Sequence, residues 1–348
     1  MIEFKLPSLG ADMTQGKLLA WHVQPGDRVK RGQVVAVVDT SKAAIDVEIW
    51  NEGVVQDLLV PVGDTVPVGT VLATLSAPGE ARTALAATKQ DKAADMSATA
   101  PVPAPVAAPV SAVPRAIPAA LDRQQNMRQA IAAAMSRSKR EIPHYYLAET
   151  IGLQAAMDWL QQRNAAKPIT ERLLPAVLLI KAVALALQRT PTLNGFYVDG
   201  QFQPGAAVHI GVAISLRGGG LVAPAIHDVQ GKSLEQLMRD LTDLVKRARA
   251  GSLRGSELTD ATITITNLGD QAVEAVFGVI YPPQVALVGF GGIETRPWVV
   301  NGVVCAQSVL CATLAADHRV SDGRQGALFL AELRDVLQQP QVLAGSVL

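Results

Sequence analysis

Between Ala98 and Ala120 the chain holds nine alanines and six prolines in 23 residues, with Arg115 as the only charge. So few large apolar side chains cannot offset the entropy of ordering, and the prolines remove backbone donors. The stretch therefore belongs to no packed core, and the chain must fold as separate units on either side of it. A total of 348 residues fits two domains at ~150 residues each. A linker is expected over 77–120, biased by its prolines toward extended conformations of ~3.1 Å per residue, a reach on the order of 100 Å. Apolar residues make up 49% of the chain and aromatics only 4%, so the cores must be aliphatic. Thirty-one basic residues balance thirty-one acidic ones, which argues against holding nucleic acid by an overall charge field. The only cysteines, Cys305 and Cys311, lie in an alternating apolar run, which excludes a disulfide framework and points to core positions in a reducing compartment. The start Met1-Ile2-Glu3-Phe4-Lys5 has no apolar signal core, and no stretch of ~18 uncharged apolar residues follows. A cytoplasmic, soluble protein without membrane or metal association is the expectation.

The first unit repeats itself. With an offset of 37, Val23, Gly26, Asp27, Val29, Gly32, Val34 and Ala36 coincide with Val60, Gly63, Asp64, Val66, Gly69, Val71 and Ala73. Each copy reads as a Gly-Asp turn followed by alternating valines, the pattern of short strands with one buried face. Two such halves make a small β-sandwich or flattened barrel over 1–76. Strand-like runs at Gln33–Asp39 and Ala43–Trp50 flank Thr40-Ser41-Lys42, which puts Lys42 at a hairpin tip. The plain reading of that lysine is a solvated turn charge. Its place between symmetric halves also suits a lysine modified and presented to other active sites.

The second unit, 121–348, mixes helices and strands and reads as an α/β domain. Helical spacing runs over Asp122–Arg140, Glu171–Gln188 and Leu234–Ala250; the last has a Ser233/Gln236 capping box and Gly251 as its stop. Strands are predicted at Ala207–Ile214, Leu221–Ile226, Ala261–Thr266, Val285–Phe290 and Ser308–Ala316, with a hairpin turn at Asn301-Gly302. The last strand runs into Asp317-His318, ahead of a helix-like stretch over Gly326–Leu337. Arg217-Gly218-Gly219-Gly220 lacks the spacing and lysine of a phosphate loop and reads as a turn. His22, His144, His209 and His227 read as structural histidines.

These residues carry two resemblances. Pro7-Ser8-Leu9-Gly10, Met13-Thr14-Gln15-Gly16, Gly26-Asp27, Asp39-Thr40-Ser41-Lys42-Ala43 and Val68-Gly69 resemble a lipoyl domain over nearly all of 1–76. Biotinyl domains share the fold, but their lysine is flanked by methionines, and Ser41 and Ala43 favour lipoyl. The segment Asp317-His318-Arg319-Val320-Ser321-Asp322-Gly323 resembles the signature of coenzyme A dependent acyltransferases. Met127–Ala132, Ile142-Pro143-His144-Tyr145, Gly220–Ile226, Thr264–Gly269 and Pro282-Pro283-Gln284 fall in that family's order. The whole is similar to a dihydrolipoamide acyltransferase, the core component of 2-oxoacid dehydrogenase complexes.

The resemblance implies covalent lipoate on Lys42 and coenzyme A as acyl acceptor. It implies partnership with a thiamine-diphosphate-dependent decarboxylase or dehydrogenase and with dihydrolipoamide dehydrogenase, and a homotrimer with His318 donated across an interface. A free thiol, with pKa near ~8.5, is mostly protonated at neutral pH, so thioester exchange needs a base, and histidine suits. His318 takes that role. Thr266 stands where the family has serine or threonine and is the candidate donor to the oxyanion, against a plainer reading as a strand former. Asp322 is expected to fix the loop of His318 by pairing with a buried arginine such as Arg128. Two alternatives stay open: a non-catalytic lipoyl carrier or scaffold, and a biotin carrier. One departure is the small helical domain that this family places between lipoyl and catalytic domains to bind its partners; 77–126 has too few apolar residues to make one.

Overall fold

A computed structural model describes residues 1–9, 13–40, 44–76, 119–216, 220–271 and 273–345, the side chains of 119–126 and 270 excepted. The first unit is all-β, built from β1 (Ile2–Lys5), β2 (Gln15–Trp21), β3 (Arg28–Val29), β4 (Gln33–Asp39), β5 (Ala44–Ile49), β6 (Gly53–Leu58), β7 (Thr65–Pro67) and β8 (Val71–Ser76). One sheet runs β1-β8-β6-β3 and the other carries β5-β4-β2-β7. The 37-residue offset carries β2, β3 and β4 onto β6, β7 and β8, so the repeat exchanges one sheet for the other. Its turn glycines match: φ is +101° at Gly26 and +103° at Gly63, then +78° at Gly32 and +88° at Gly69. These are left-handed conformations that side chains with a Cβ resist, which is why glycine recurs there. Alternating residues such as Leu18, Val38, Ile45, Val47, Leu72 and Leu75 meet in a fully buried aliphatic core.

The second unit opens with α1 (Ala119–Glu141), β9 (His144–Gly152), α2 (Gln154–Ala165) and α3 (Pro175–Arg189). Short strands follow: β10 (Gly195–Val198), β11 (Gln201–Pro204), β12 (Ile210–Val212), β13 (Ile214–Ser215), β14 (Leu221–Val222) and β15 (Ala225–Ile226). Then come α4 (Leu234–Ala250), β16 (Leu253–Arg254), α5 (Gly255–Thr259), β17 (Ile263–Asn267), β18 (Ala286–Phe290), β19 (Glu294–Val300), β20 (Val303–Asp317), α6 (Gly323–Leu337) and α7 (Pro340–Leu343). The main sheet runs β15-β12-β17-β18-β20-β19, and β9 lies along the other side of the C-terminal half of β20. Being paired on both edges, that half of β20 is buried from Ala312 to Asp317.

Helices cover the sheet. Helix α3 is buried almost throughout, and its Lys181 ammonium donates to the carbonyls of Gln230 and Lys232, each at 2.8 Å. Burial pushes that amine's pKa down. Helix α4 has the predicted limits: Ser233 accepts from Gln236 N, and Gly251 ends the helix at φ +73°. The Asn301-Gly302 turn takes φ +51° and +82°, as a two-residue hairpin requires.

Three expectations change. The predicted helix over Glu171–Gln188 starts at Pro175, because proline lacks the N–H that only the first turn can spare. The predicted strands 207–214 and 221–226 each break into two short pieces. Cys305 and Cys311 are half-buried instead of in the core, although both stay paired in the sheet, Cys305 with Trp298 and Cys311 with Thr150.

Candidate active site

His318 follows the last residue of β20, on a turn held from beneath by Asp317. The Asp317 carboxylate is fully buried and grips Arg319: Oδ1 accepts from Arg319 N at 2.9 Å and from Nε at 3.0 Å, and Oδ2 from Nη2 at 2.7 Å. Its carbonyl accepts from Val320 N and Ser321 N, both at 3.0 Å. The guanidinium of Arg319 lies 4.0 Å over the Tyr197 ring, and the shared fork pushes its pKa up. His318 N donates to Pro143 O at 3.0 Å, and its imidazole, exposed in the single chain, meets the Tyr145 ring edge-on at 5.3 Å. The Tyr145 hydroxyl is 2.9 Å from that of Ser321, and burial pushes the phenol's pKa up. A backbone turn, an ion pair and an aromatic edge thus present one imidazole to solvent.

Asp322 takes a different part from the expected one. It is the N-cap of α6: its carboxylate accepts from Gln325 N at 3.0 Å, and its own N donates to Gln325 Oε1 at 3.2 Å. Arg128 is exposed on α1, and no ion pair joins it to Asp322 among the described residues. The nearest unsatisfied donors to Asp322 are the first N–H groups of its own helix, and capping them wins. The arginine pairing belongs instead to Asp317 with Arg319. Nothing beyond the Asp-His-Arg triplet itself marks that pair in the sequence, because it depends on the burial of a strand end.

Thr266 lies near the end of β17, half-buried, on a cavity of ≈ 820 Å³ whose walls include Leu179, Ala213, Ser215, Arg249 and Asn267. Its neighbours have their hydroxyls engaged: Thr264 donates to Gln284 Oε1 at 2.7 Å, and Thr262 to His209 O at 3.1 Å. The Thr266 hydroxyl makes no hydrogen bond to another described residue and faces the cavity with its donor unspent.

One chain does not bring Thr266 and His318 together. Thr266 pairs with Gly289, Gly289 pairs with Thr313, and His318 lies five residues further along the β20 direction. At ~3.3 Å per residue and ~4.8 Å per strand step, the two sites are roughly 15–20 Å apart. No single acyl group touches both. The connection between β4 and β5, closed by the Asp39↔Ala44 pair, carries Lys42, which lies outside the described residues. The Arg217–Gly219 turn lies outside them too; its flanks pair as β13 and β14.

An exposed imidazole on a turn tied down by the Asp317–Arg319 pair, a hydroxyl on a large cavity and an N-terminal β unit are the parts that a carrier-fed acyltransferase needs. The model of 2-oxoacid dehydrogenases acyltransferase (catalytic domain) matches 121–344, and the Biotin-requiring enzyme (biotin/lipoyl) model matches 2–75. The chain belongs to the 2-oxoacid dehydrogenase acyltransferase family. Its N-terminal domain is of the lipoyl kind, with lipoate as the covalent group and coenzyme A as the acyl acceptor.

Relatives agree in name. The dihydrolipoyllysine-residue acetyltransferase component of the pyruvate dehydrogenase complex of Zymomonas mobilis is 26% identical, over 97% of this chain and 98% of that protein. That of Rhizobium meliloti is 28% identical over 97% and 98%. The Zymomonas alignment runs over 433 positions against 348 residues here, so that relative has residues without counterpart in this chain. Among solved structures, the Azotobacter vinelandii dihydrolipoamide acetyltransferase superposes with TM-score 0.59 at 27% identity, covering 62% of this chain and 90% of that one. A probable dihydrolipoamide acetyltransferase from Listeria monocytogenes gives 0.58 at 28%, covering 61% and 92%. No helix among the described residues is long and apolar enough to cross a membrane.

Proposed function

We propose that this chain transfers an acetyl group from a lipoyl-lysine thioester to coenzyme A, as the core of a pyruvate or acetoin dehydrogenase complex. In this reading 1–76 is the lipoyl domain, 77–120 the linker and 121–348 the catalytic domain, in a cytoplasmic protein. The hairpin of β4 and β5 suits Lys42 as attachment point, since its ladder closes at Asp39↔Ala44 and leaves the lysine in the connection. Lipoate, when bound there, supplies the thiol that carries the acyl group.

The chain's own residues do the rest. His318 takes the proton of the coenzyme A thiol, and the thiolate attacks the thioester carbon. The carbonyl oxygen gains negative charge and accepts a hydrogen bond from the Thr266 hydroxyl; its collapse breaks the bond to the lipoyl sulfur, and the imidazolium gives its proton to the departing thiolate. Asp322 acts by capping α6 and so fixing the end of the His318 turn. Both groups meet only if His318 of one copy faces Thr266 of another, which supports a homotrimer as the minimum catalytic unit. The cubic core of a pyruvate dehydrogenase complex among the structural neighbours supports larger assembly as well. Partners are the thiamine-diphosphate-dependent enzyme that loads the arm and the dihydrolipoamide dehydrogenase that reoxidises it.

The observation that carries the reading is the clamp of Asp317 on Arg319, which commits a buried carboxylate to holding a solvent-facing histidine. A second support is spacing: 52 residues separate Thr266 from His318 and four more reach Asp322. The same intervals separate the serine, histidine and asparagine studied for their role in the Azotobacter vinelandii mechanism. The test is steady-state transfer from free acetyl-dihydrolipoamide to coenzyme A. His318→Ala should lower turnover by at least ~100-fold, with partial recovery as pH rises and the thiol ionises unaided. Near wild-type turnover in that variant would make the non-catalytic carrier the better reading.

A further inference from the structure

The lipoyl sheet β5-β4-β2-β7 does not end at β5. Strand β16 of the catalytic unit adds to it as a fifth, parallel strand, pairing Leu253 with Ile45 and Arg254 with Asp46. Without it β5 would be a bare sheet edge, its donors and acceptors open to any passing strand. Side chains continue the contact. Leu258 of α5 packs against the cores of both units. Gly255 is buried where a Cβ would come 2.9 Å from Leu9 Cδ2, and Ser256 N lies 3.4 Å from Glu48 Oε2. Charge agrees in sign: Asp46 and Glu48 alternate outward on β5, opposite Arg254, and residues 1–76 carry six basic against nine acidic side chains.

The joint has a cavity of ≈ 320 Å³, lined from the lipoyl side by Ser8 and Leu9 and from the catalytic side by Met127, Ile131, Leu221 and Leu258. Leu221 is also a wall of the Thr266 cavity. The paired strand β5 begins two residues after Lys42 in the sequence.

We propose that the edge formed by β16 and α5 is a docking surface for the chain's own lipoyl domain, which it grips by parallel strand addition beside the Thr266 cavity. Because one chain joins the two faces, their encounter is intramolecular, at an effective concentration of about mM, and even a small contact is populated. The dock holds the domain between visits, with the strand leading from Lys42 already against the acyltransferase. The strand pairing stands independently of the proposed function; its role in delivery rests on that reading.

The test is a cross-link in the full chain. Parallel neighbours place Cα atoms ~4.8 Å apart, inside the ~4.4–6.8 Å that a disulfide spans. The double variant Asp46→Cys, Arg254→Cys should form an intrachain bond under mild oxidation, located by peptide mapping. It should form at least ~10-fold faster than in Asp57→Cys, Arg254→Cys, whose first cysteine sits on the opposite lipoyl sheet. Equal rates, or products linked only between chains, overturn the dock. For the role in delivery, Asp46→Arg sets like charges opposite each other. Transfer from the chain's own acetylated arm should then fall about fivefold or more relative to transfer from free acetyl-dihydrolipoamide, with intact mass confirming lipoylation. An unchanged ratio overturns delivery, whereas loss of free-donor transfer already in the unaltered protein counts against the acyltransferase reading and leaves the cross-link to decide the dock.

Discussion

Asp317→Asn separates the clamp from the chemistry it supports. The carboxylate is fully buried and takes four contacts from Arg319: N and Nε on Oδ1 at 2.9 and 3.0 Å, Nε and Nη2 on Oδ2 at 3.1 and 2.7 Å. Asparagine keeps one acceptor oxygen but turns an NH₂ toward the guanidinium, so the Oδ2 contacts become donor against donor. Hydrogen bonds to charged groups are worth ~1.5–3 kcal/mol, and breaking a fully buried ion pair costs ~3–5 kcal/mol. The Arg319 side chain is 31% exposed and can turn to water, which places the loss at the lower end, about 2 kcal/mol. At ~2–4 °C per kcal/mol for a domain of this size, the unfolding midpoint should drop by ~4–8 °C. The imidazole next in sequence loses its fixed direction, and a misplacement of ~1 Å is worth up to ~100-fold in rate. Turnover should fall ~10–100-fold with KM for coenzyme A nearly unchanged. Thermal unfolding followed by circular dichroism and transfer kinetics on the same preparation check both numbers. A midpoint within ~1 °C of the parent together with unaltered turnover would refute the clamp.

Thr266→Ala should lower turnover by ~100-fold or more without recovery at high pH, while Thr266→Ser, which keeps the hydroxyl, should retain most activity; equal losses in the two variants would remove the oxyanion role. Lys42→Arg should abolish the lipoyl mass shift in a peptide map yet leave transfer from free acetyl-dihydrolipoamide intact; a shift remaining on another lysine would displace Lys42 as attachment site. Glu235 gives a pH signature: burial alone would raise its pKa, but hydrogen bonds from Arg163 and Lys167 outweigh it and hold the group down to about 2. Its folded value lies below an unfolded value near ~4.3, so its stabilisation is present above that pH and is lost as pH falls toward the folded value. Glu235→Gln should therefore flatten the fall of the unfolding midpoint between about pH 5 and 2, and an unchanged slope there would count against the linkage.

Much of the proposed site is legible in the amino-acid sequence, and the reason differs by residue. His318 stands out because an Asp-His-Arg triplet follows an apolar strand and precedes a helix, a local pattern. Thr266 stands out only through the order of motifs around it; that Thr264 and Thr262 use their hydroxyls while Thr266 does not depends on Gln284 and His209, far off in sequence. Strand β9 and helix α2 are not among the predicted elements, although β9 makes one flank of His318. Its pairing partner, β20, lies more than 150 residues away.

By itself, the sequence determined what neighbours along the chain decide. The expected division at the Ala/Pro stretch rests on composition alone, and the two lipoyl sheets follow from a repeat whose glycines need left-handed φ. The limits of α4 follow from a cap bond spanning three residues and from Gly251. Tertiary structure alone decided what depends on burial and register. It gave the clamping role to Asp317 and left Asp322 to cap its helix, because only the paired end of β20 is shut away from water. It set Thr266 and His318 at opposite ends of two strands that flank β18, since a register is a relation between strands that no one of them encodes. It also completed the lipoyl sheet with two residues of the other domain, because an open edge takes its partner from whatever backbone the fold brings beside it.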